Sequence, residues 1–277
     1  MTTAVEPREQ TIEARGLKFY YTEWGDRDSP AVILLHGLSS TCRLWDPVAV
    51  ALQDRYHVIA LDQRGHGDTS WPEEAAYATA DFVGDLEALV DLWELDTVDL
   101  VGLSMGGMNS ISYAARHHDK VRHLVVIDIP PAFVREKRPG RELDKHISEH
   151  GHPQLPDHET GLKLVRLTNK TTPDAPLKHR LKHLLKQMPD GKWQNKHDAR
   201  VSYYWDPEDL WGELPKVTAP VLIMRGGKSE VLRDKDADRM LKEFPHATLV
   251  DIAEAGHTVP EDRTEDFLAA VEPFLAS

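Results

Sequence analysis

One cysteine, Cys42, stands in a chain of 277 residues. A single thiol cannot close an internal disulfide, so the fold must rest on its apolar core, and such usage fits a reducing compartment. Cys42 reads as a small semi-buried residue rather than a reactive thiol. Long apolar runs are also missing. No stretch approaches the ~20 residues of a membrane span, and Met1 to Gln10 lacks the apolar segment of a signal peptide. The expectation is a cytoplasmic protein that does not engage membranes. Positive charge is scarce: 33 Lys and Arg against 46 Asp and Glu give a net charge of -13, which argues against nucleic acid as a partner. There is no glycine-rich phosphate loop, no dinucleotide fingerprint and no internal repeat, so no cofactor is expected. No metal motif is found either. His117 and His118 are adjacent on a helix, so their rings diverge. His146 and His150 share a face but lack a convincing third ligand.

What is present is an alternation. Hydrophobic residues make up 40% of the chain, enough for a substantial core. Thr11 to Ala14 and Lys18 to Trp24 read as antiparallel strands turning at Arg15-Gly16. Ala31 to Leu35, His57 to Leu61, Val98 to Val101, Val121 to Ile127, Val221 to Met224 and Ala247 to Val250 are short apolar runs, as expected of strands buried on both faces. Helical spacing lies between and after them, at Trp45 to Leu52, Asp81 to Leu95, Gly107 to Arg116, Lys235 to Phe244 and Thr264 to Leu275. Strands alternating with helices predict an α/β fold with a mainly parallel, doubly wound sheet.

From about Pro130 to Pro215 the rhythm stops. This stretch is too long for a loop and holds polar helical segments such as Leu177 to Gln187, so it reads as an inserted helical cap. From Pro131 to Arg200 roughly fifteen Lys and Arg face nine Asp and Glu, with seven His. Such a cap is either a set of solvated helix faces or an attractor of anionic substrates. Its apolar residues Phe133, Leu155, Leu162, Leu167, Trp193 and Trp205 are candidates for a pocket wall or for a small core of the cap itself.

The most informative stretch is Gly102-Leu103-Ser104-Met105-Gly106. It reads G-x-S-x-G between a strand-like and a helix-like run, the context of a nucleophile elbow. The serine must sit on a sharp turn with its hydroxyl exposed, and the glycines keep strand and helix from clashing. The helix that starts there aims N–H groups at any oxyanion forming beside the serine.

Three further segments join the elbow in a fixed order: His36-Gly37-Leu38-Ser39-Ser40 after a strand, Asp62-Gln63-Arg64-Gly65-His66-Gly67-Asp68-Thr69-Ser70, and Ala255-Gly256-His257 after the last strand. In these motifs the chain resembles the α/β-hydrolase superfamily over nearly its whole length. The resemblance implies a core of residues 1–130 and 216–277, with a cap of residues 131–215. It implies Ser104 as nucleophile, His257 as base, and the backbone N–H groups of Leu38 and Met105 as oxyanion donors. His36 is expected to hold its loop, and Arg64 to Gly67 to tie down the elbow's surroundings. Branches of the family with an aspartate nucleophile are excluded by Ser104.

The triad acid departs from the family's usual pattern. Most relatives carry aspartate in a G-x-x-D turn after the penultimate strand. Here that turn is Arg225-Gly226-Gly227-Lys228-Ser229-Glu230. Counting from Gly226 gives Ser229, which is no carboxylate; counting from Gly227 gives Glu230. The other candidate is Asp128, at the end of the strand after the nucleophile strand, and it is the preferred one. The expected reaction is cleavage of a small-molecule ester or lactone through an acyl-enzyme, with an amide or a carbon–carbon bond flanked by carbonyls also open. The alternatives are a hydrolase-like ligand sensor and a cofactor-free lyase or oxidative enzyme. The expected partner is a small-molecule carbonyl substrate, an anionic one if the basic cap attracts it. Monomer and homodimer both stay open.

Overall fold

The computed structural model describes residues 6–133 and 140–277. Its strands are β1 (Arg8–Ala14), β2 (Leu17–Trp24), β3 (Ala31–Leu35), β4 (His57–Leu61), β5 (Val98–Leu103), β6 (Val121–Ile127), β7 (Leu185–Gln187), β8 (Trp193–Asn195), β9 (Val221–Gly226) and β10 (Ala247–Ile252). Eight of them form one sheet in the order β1-β2-β4-β3-β5-β6-β9-β10. The pairs β1–β2 and β2–β4 are antiparallel, and every other neighbouring pair of this sheet is parallel.

The helices are α1 (Asp46–Leu52), α2 (Thr79–Leu92), α3 (Met105–Arg116), α4 (Arg141–His150), α5 (His158–Thr168), α6 (Asp174–Leu184), α7 (Val201–Tyr204), α8 (Asp234–Glu243), α9 (Val259–Asp262) and α10 (Thr264–Leu275). Alternation along the strands divides the apolar residues between two cores. Ile33, Leu35, Leu100, Leu124 and Val126 face α2, α3 and α8, where Phe82, Leu86, Met108, Ile111 and Met240 are buried. Val32, Leu34, Val101, Val125 and Ile127 face α1 and α10, where Val48, Leu52, Phe267 and Val271 are buried. A strand covered on both sides has no polar face to show, which is why these runs are continuously apolar. The parallel strands point their C-terminal ends toward one edge of the sheet, and β3, β5 and β6 end there in His36, Ser104 and Asp128. Crevices outside such ends are where sheets of this kind place their sites.

The insertion between β6 and β9 carries α4 to α7 and one element absent from the sequence reading. The predicted helix over Leu177 to Gln187 ends at Leu184, and Leu185–Gln187 instead pairs antiparallel with Trp193–Asn195. The turn between them contains Pro189-Asp190-Gly191, with Gly191 at φ +84°. That tripeptide is the turn signal that could have exposed the hairpin. Among the described residues no helix is long and apolar enough to cross a membrane.

Candidate active site

Ser104 sits between β5 and α3 with φ 54° and ψ -120°, a backbone conformation that side chains rarely adopt. Its amide is fixed by the Ile127 carbonyl at 2.9 Å, and its carbonyl accepts from Met108 N at 3.1 Å. Two glycines make the turn sterically possible. A Cβ on Gly102 would lie 2.4 Å from the Gly106 carbonyl oxygen, and one on Gly106 would lie 2.3 Å from that of Leu35. Both contacts are with backbone, which cannot yield without moving the sheet. The elbow therefore stores its strain in Ser104 alone, as functional sites often do.

His257 lies between β10 and α9, where its Nδ1 meets Asp128 Oδ2 at 2.7 Å. Asp128 is fully buried at the end of β6, at φ 50°. Its amide donates to the Met224 carbonyl at 2.8 Å. Its other partners come from the turn after β9: Gly226 N donates to Oδ1 at 3.2 Å and Ser229 Oγ to Oδ2 at 2.5 Å. A buried carboxylate needs such donors to remain charged. The position that the family resemblance assigns to an acid thus holds a serine, and that serine supports an acid supplied by the neighbouring strand. Glu230 does not approach His257. It is exposed and lines a surface depression with Arg233, Asp234 and Lys235. Among the described residues the carboxylate that pairs with His257 is that of Asp128, not that of Glu230, the alternative acid.

The loop after β3 presses on the serine, since a Cβ on Gly37 would lie 3.2 Å from Ser104 Cβ. Leu38 N and Met105 N, the expected oxyanion donors, flank that contact, and neither donates a backbone hydrogen bond among the described residues. His36 holds the loop from beneath. Its Nδ1 donates to the Gly37 carbonyl at 2.8 Å, and its Nε2 accepts from Gln63 N at 3.1 Å. Arg64 grips Asp85 through Nε and Nη2 at 2.5 and 2.6 Å. Asp62 accepts from Cys42 N at 2.6 Å and Asp68 N at 2.9 Å, and a Cβ on Gly67 would collide with that carboxylate. None of these three side chains lines the cavity beside Ser104.

Four imidazoles run from this loop into the insertion: His36 and His66 at 4.9 Å, His66 and His197 at 6.1 Å, and His197 and His152 at 4.2 Å between ring centres. Burial pushes every one of them down, His66 to about 4 and His36 and His197 well below the ordinary 6.5. The unfolded chain therefore takes up protons from about pH 6.5 downward that the folded chain refuses. This contribution to stability is complete above pH 6.5 and is lost as pH falls toward 4. Burial raises Asp62 to about 6 and Glu261 to about 7, and these act in the opposite sense, their contribution being lost as pH rises. His183 is pushed down to about 4 and Asp85 is pushed up, both by burial, so the lowered imidazoles outnumber the raised carboxylates and the net effect is a loss of stability as pH falls through this interval. The expected result is a thermal midpoint that falls steeply from pH 6 to 5, followed by circular dichroism. A midpoint flat across that interval would contradict the histidine column as its cause.

Leu103, Ser104, Leu38 and His257 open into a cavity of about 630 Å³ whose other wall is the insertion. Leu143, Leu164, Val165 and Leu184 supply its apolar lining, with Asn169, Arg180, Asn195 and His197 among the polar groups. None of the six apolar residues that the sequence left open as pocket wall or cap core lines this cavity. Phe133 packs on Trp205 at 5.8 Å, Trp193 on His158 at 4.0 Å, and Leu167 is 68% exposed. The insertion is fastened to the histidine loop through two consecutive acids of α9. Glu261 pairs with Arg180 of α6 at 2.7 Å. Asp262 accepts from Thr171 Oγ1 at 2.6 Å, from Thr172 Oγ1, and from Gly256 N at 2.7 Å.

The sheet order, the elbow and the inserted wall over it define an α/β-hydrolase fold, and the family model described as "alpha/beta hydrolase fold" matches residues 30–149. The chain has the α/β-hydrolase fold, a mostly parallel sheet flanked by helices. It is 27% identical over 255 residues to the esterase Rv0045c of Mycobacterium tuberculosis, covering 91% of this chain and 84% of that protein. It is 28% identical over 248 residues to a 2-(acetamidomethylene)succinate hydrolase of Mesorhizobium japonicum, covering 89% and 88%. The crystal structure of an E-2-(acetamidomethylene)succinate hydrolase superposes with a TM-score of 0.87 at 24% identity, covering 98% of this chain and all of the other.

Proposed function

We propose that this protein is a serine hydrolase that cleaves a small-molecule ester or lactone through an acyl-enzyme. The observation that carries the reading is the 2.7 Å contact of His257 Nδ1 with the buried Asp128 carboxylate, in a cavity shared with Ser104. Asp128 holds the proton on Nδ1 and so leaves Nε2 as the basic nitrogen. Ser104 Oγ attacks the carbonyl carbon and its proton passes to His257 Nε2. The N–H groups of Leu38 and Met105 take up the oxyanion. The imidazolium then returns the proton to the leaving oxygen. Water, deprotonated by the same nitrogen, attacks the acyl carbon and frees Ser104.

Relatives named as esterases, and one named for a succinate derivative, support the bond type and a substrate that carries an acid group. Arg180 in the cavity wall supports the latter, because its partner Glu261 is pushed up to about 7 by burial and so neutralises it only in part near neutral pH.

The test is a panel of p-nitrophenyl and lactone substrates, with and without a free carboxylate, run beside a fluorophosphonate label. The expected result is turnover of at least one class and stoichiometric labelling of Ser104, with lower KM for the carboxylated members. Turnover without labelling would favour a reaction that forms no acyl-enzyme. Absence of both would favour a ligand sensor on the same fold.

A further inference from the structure

Outside the cavity lining, where α6 meets the start of α1, the structure gathers three side chains with metal-ligating atoms. His179 and His183 are four residues apart on α6 and therefore share a face, with ring centres 4.9 Å apart. Asp46, the first residue of α1, meets His179 Nε2 through Oδ2 at 2.8 Å. One ligand atom from each of the three lies within 4.8 Å of the others. We propose that His179, His183 and Asp46 form a binding site for a divalent transition metal that clamps the insertion to the core.

Two imidazole nitrogens and one carboxylate oxygen are a donor set of intermediate hardness. It suits Zn²⁺, Ni²⁺ or Cu²⁺, with water completing the shell, and not Mg²⁺ or Ca²⁺, which demand oxygen. Metal–ligand bonds of about 2.0–2.1 Å require tetrahedral ligand atoms to stand roughly 3.3 Å apart. Asp46 Oδ2 and His179 Nε2 stand 2.8 Å apart, and the His183 ligand atom lies within 4.8 Å of both.

The charged surroundings are compatible with a cation. Arg43 binds both oxygens of Asp46 through Nε, at 2.8 and 3.1 Å, and fixes the carboxylate as an outer partner of a ligand does. Its own charge is shared with Glu9 of β1, whose Oε1 lies 3.0 Å from Nη1. Lys182 of α6 is exposed, and Arg180 is turned to Glu261. Asp46 and Glu9 against Arg43 leave one negative charge beside two imidazoles.

Other histidine groups do not compete. His146 and His150 stack at 4.3 Å on α4, but no third ligand joins them among the described residues. In the buried column the nitrogens of His36 and His66 are spent on backbone hydrogen bonds.

The site has a mechanical consequence. Arg180 and Leu184 follow His179 and His183 in sequence and line the cavity. A metal held between His179, His183 and Asp46 therefore fixes the helix that supplies Arg180 and Leu184 to the cavity wall.

The test uses the full chain, stripped with EDTA and dialysed. Zn²⁺ is titrated by calorimetry at pH 7.5, and unfolding and amide exchange are followed with and without it. The expected result is one Zn²⁺ per chain, a thermal midpoint that rises by several degrees at roughly 100-fold excess over the dissociation constant, and slower exchange in α6. Binding should weaken by at least about tenfold in His179→Gln/His183→Gln and in Asp46→Asn. It should be unaffected in His146→Gln/His150→Gln. Hydrolysis by the metal-free His179→Gln/His183→Gln variant should match that of metal-free wild type, which reports an intact fold. Zn²⁺ binding that survives this double variant, or is lost with His146 and His150 instead, overturns the proposal. So does the absence of saturable binding to wild type.

Discussion

Replacing Ser104 with alanine is expected to lower kcat/KM for the best substrate of the panel by about 10⁵-fold and to abolish fluorophosphonate labelling. The variant isolates one atom. Alanine and serine both carry a Cβ and meet the same penalty at φ 54°. The backbone bonds to Ile127 and Met108 that impose the turn do not involve the hydroxyl. Folding should be untouched, with a thermal midpoint within about a degree of wild type, since no buried group loses a partner. What remains is the cavity and the oxyanion N–H pair, which by themselves accelerate hydrolysis over water by about 10³- to 10⁴-fold. Steady-state kinetics on enzyme free of wild-type contamination measures the loss. A Ser104→Ala variant that keeps a tenth of its activity would remove Ser104 from the mechanism.

Asp128→Asn should lower kcat by about 10³- to 10⁴-fold with little change in KM. Asparagine fills the same volume, so the interior does not collapse, but it removes the charge that stabilises the imidazolium. It also offers a donor where the proton of Nδ1 needs an acceptor, which favours the tautomer with the proton on Nε2, the wrong nitrogen for a base. The Gly226 amide and the Ser229 hydroxyl, both of which donate to Asp128, gain an amide group between them in place of a carboxylate. A modest loss of stability, about 1–3 kcal/mol, follows from the mismatch. Glu230→Gln should leave kcat unchanged, because that side chain is exposed and distant in function from the imidazole. Ser229→Ala should fall between them: it costs one hydrogen bond to the acid and leaves the carboxylate in place. If Glu230→Gln loses activity and Asp128→Asn does not, the acid has been misassigned.

The core strands were legible in sequence because a strand buried on both faces leaves an unbroken apolar run, and such runs are short and bounded. Ser104 and His257 were legible for a different reason. The elbow needs Gly102 and Gly106 for steric room that no other residue leaves, so the backbone requirement is written into residue identity. The hairpin of β7 and β8 was missed because three-residue strands are too brief to show a period, although Pro189-Asp190-Gly191 marked its turn. Whether Trp193 or Leu167 walls the pocket or packs within the cap stayed open in sequence, because neither carries a mark of whether it faces inward. Leu143 and Leu164, which do line the cavity, have ordinary helical spacing.

The acid was the point at which local reading stopped. Asp128 directly follows β6 and Glu230 lies in the turn after β9, and nothing in either segment states which carboxylate reaches His257. The same limit hid the grouping of Asp46 with His179 and His183, which are 133 residues apart at the extremes that touch. Sequence by itself determined the layers, the sheet and the positions of the proposed nucleophile and base, because those follow from periodicity and from backbone sterics within a few residues. Tertiary structure alone decided which acid meets the histidine, what walls the cavity and which distant side chains share a site. Those depend on how β6 lies beside β9 and how the insertion folds back over the sheet, and packing across such distances leaves no local pattern in the chain.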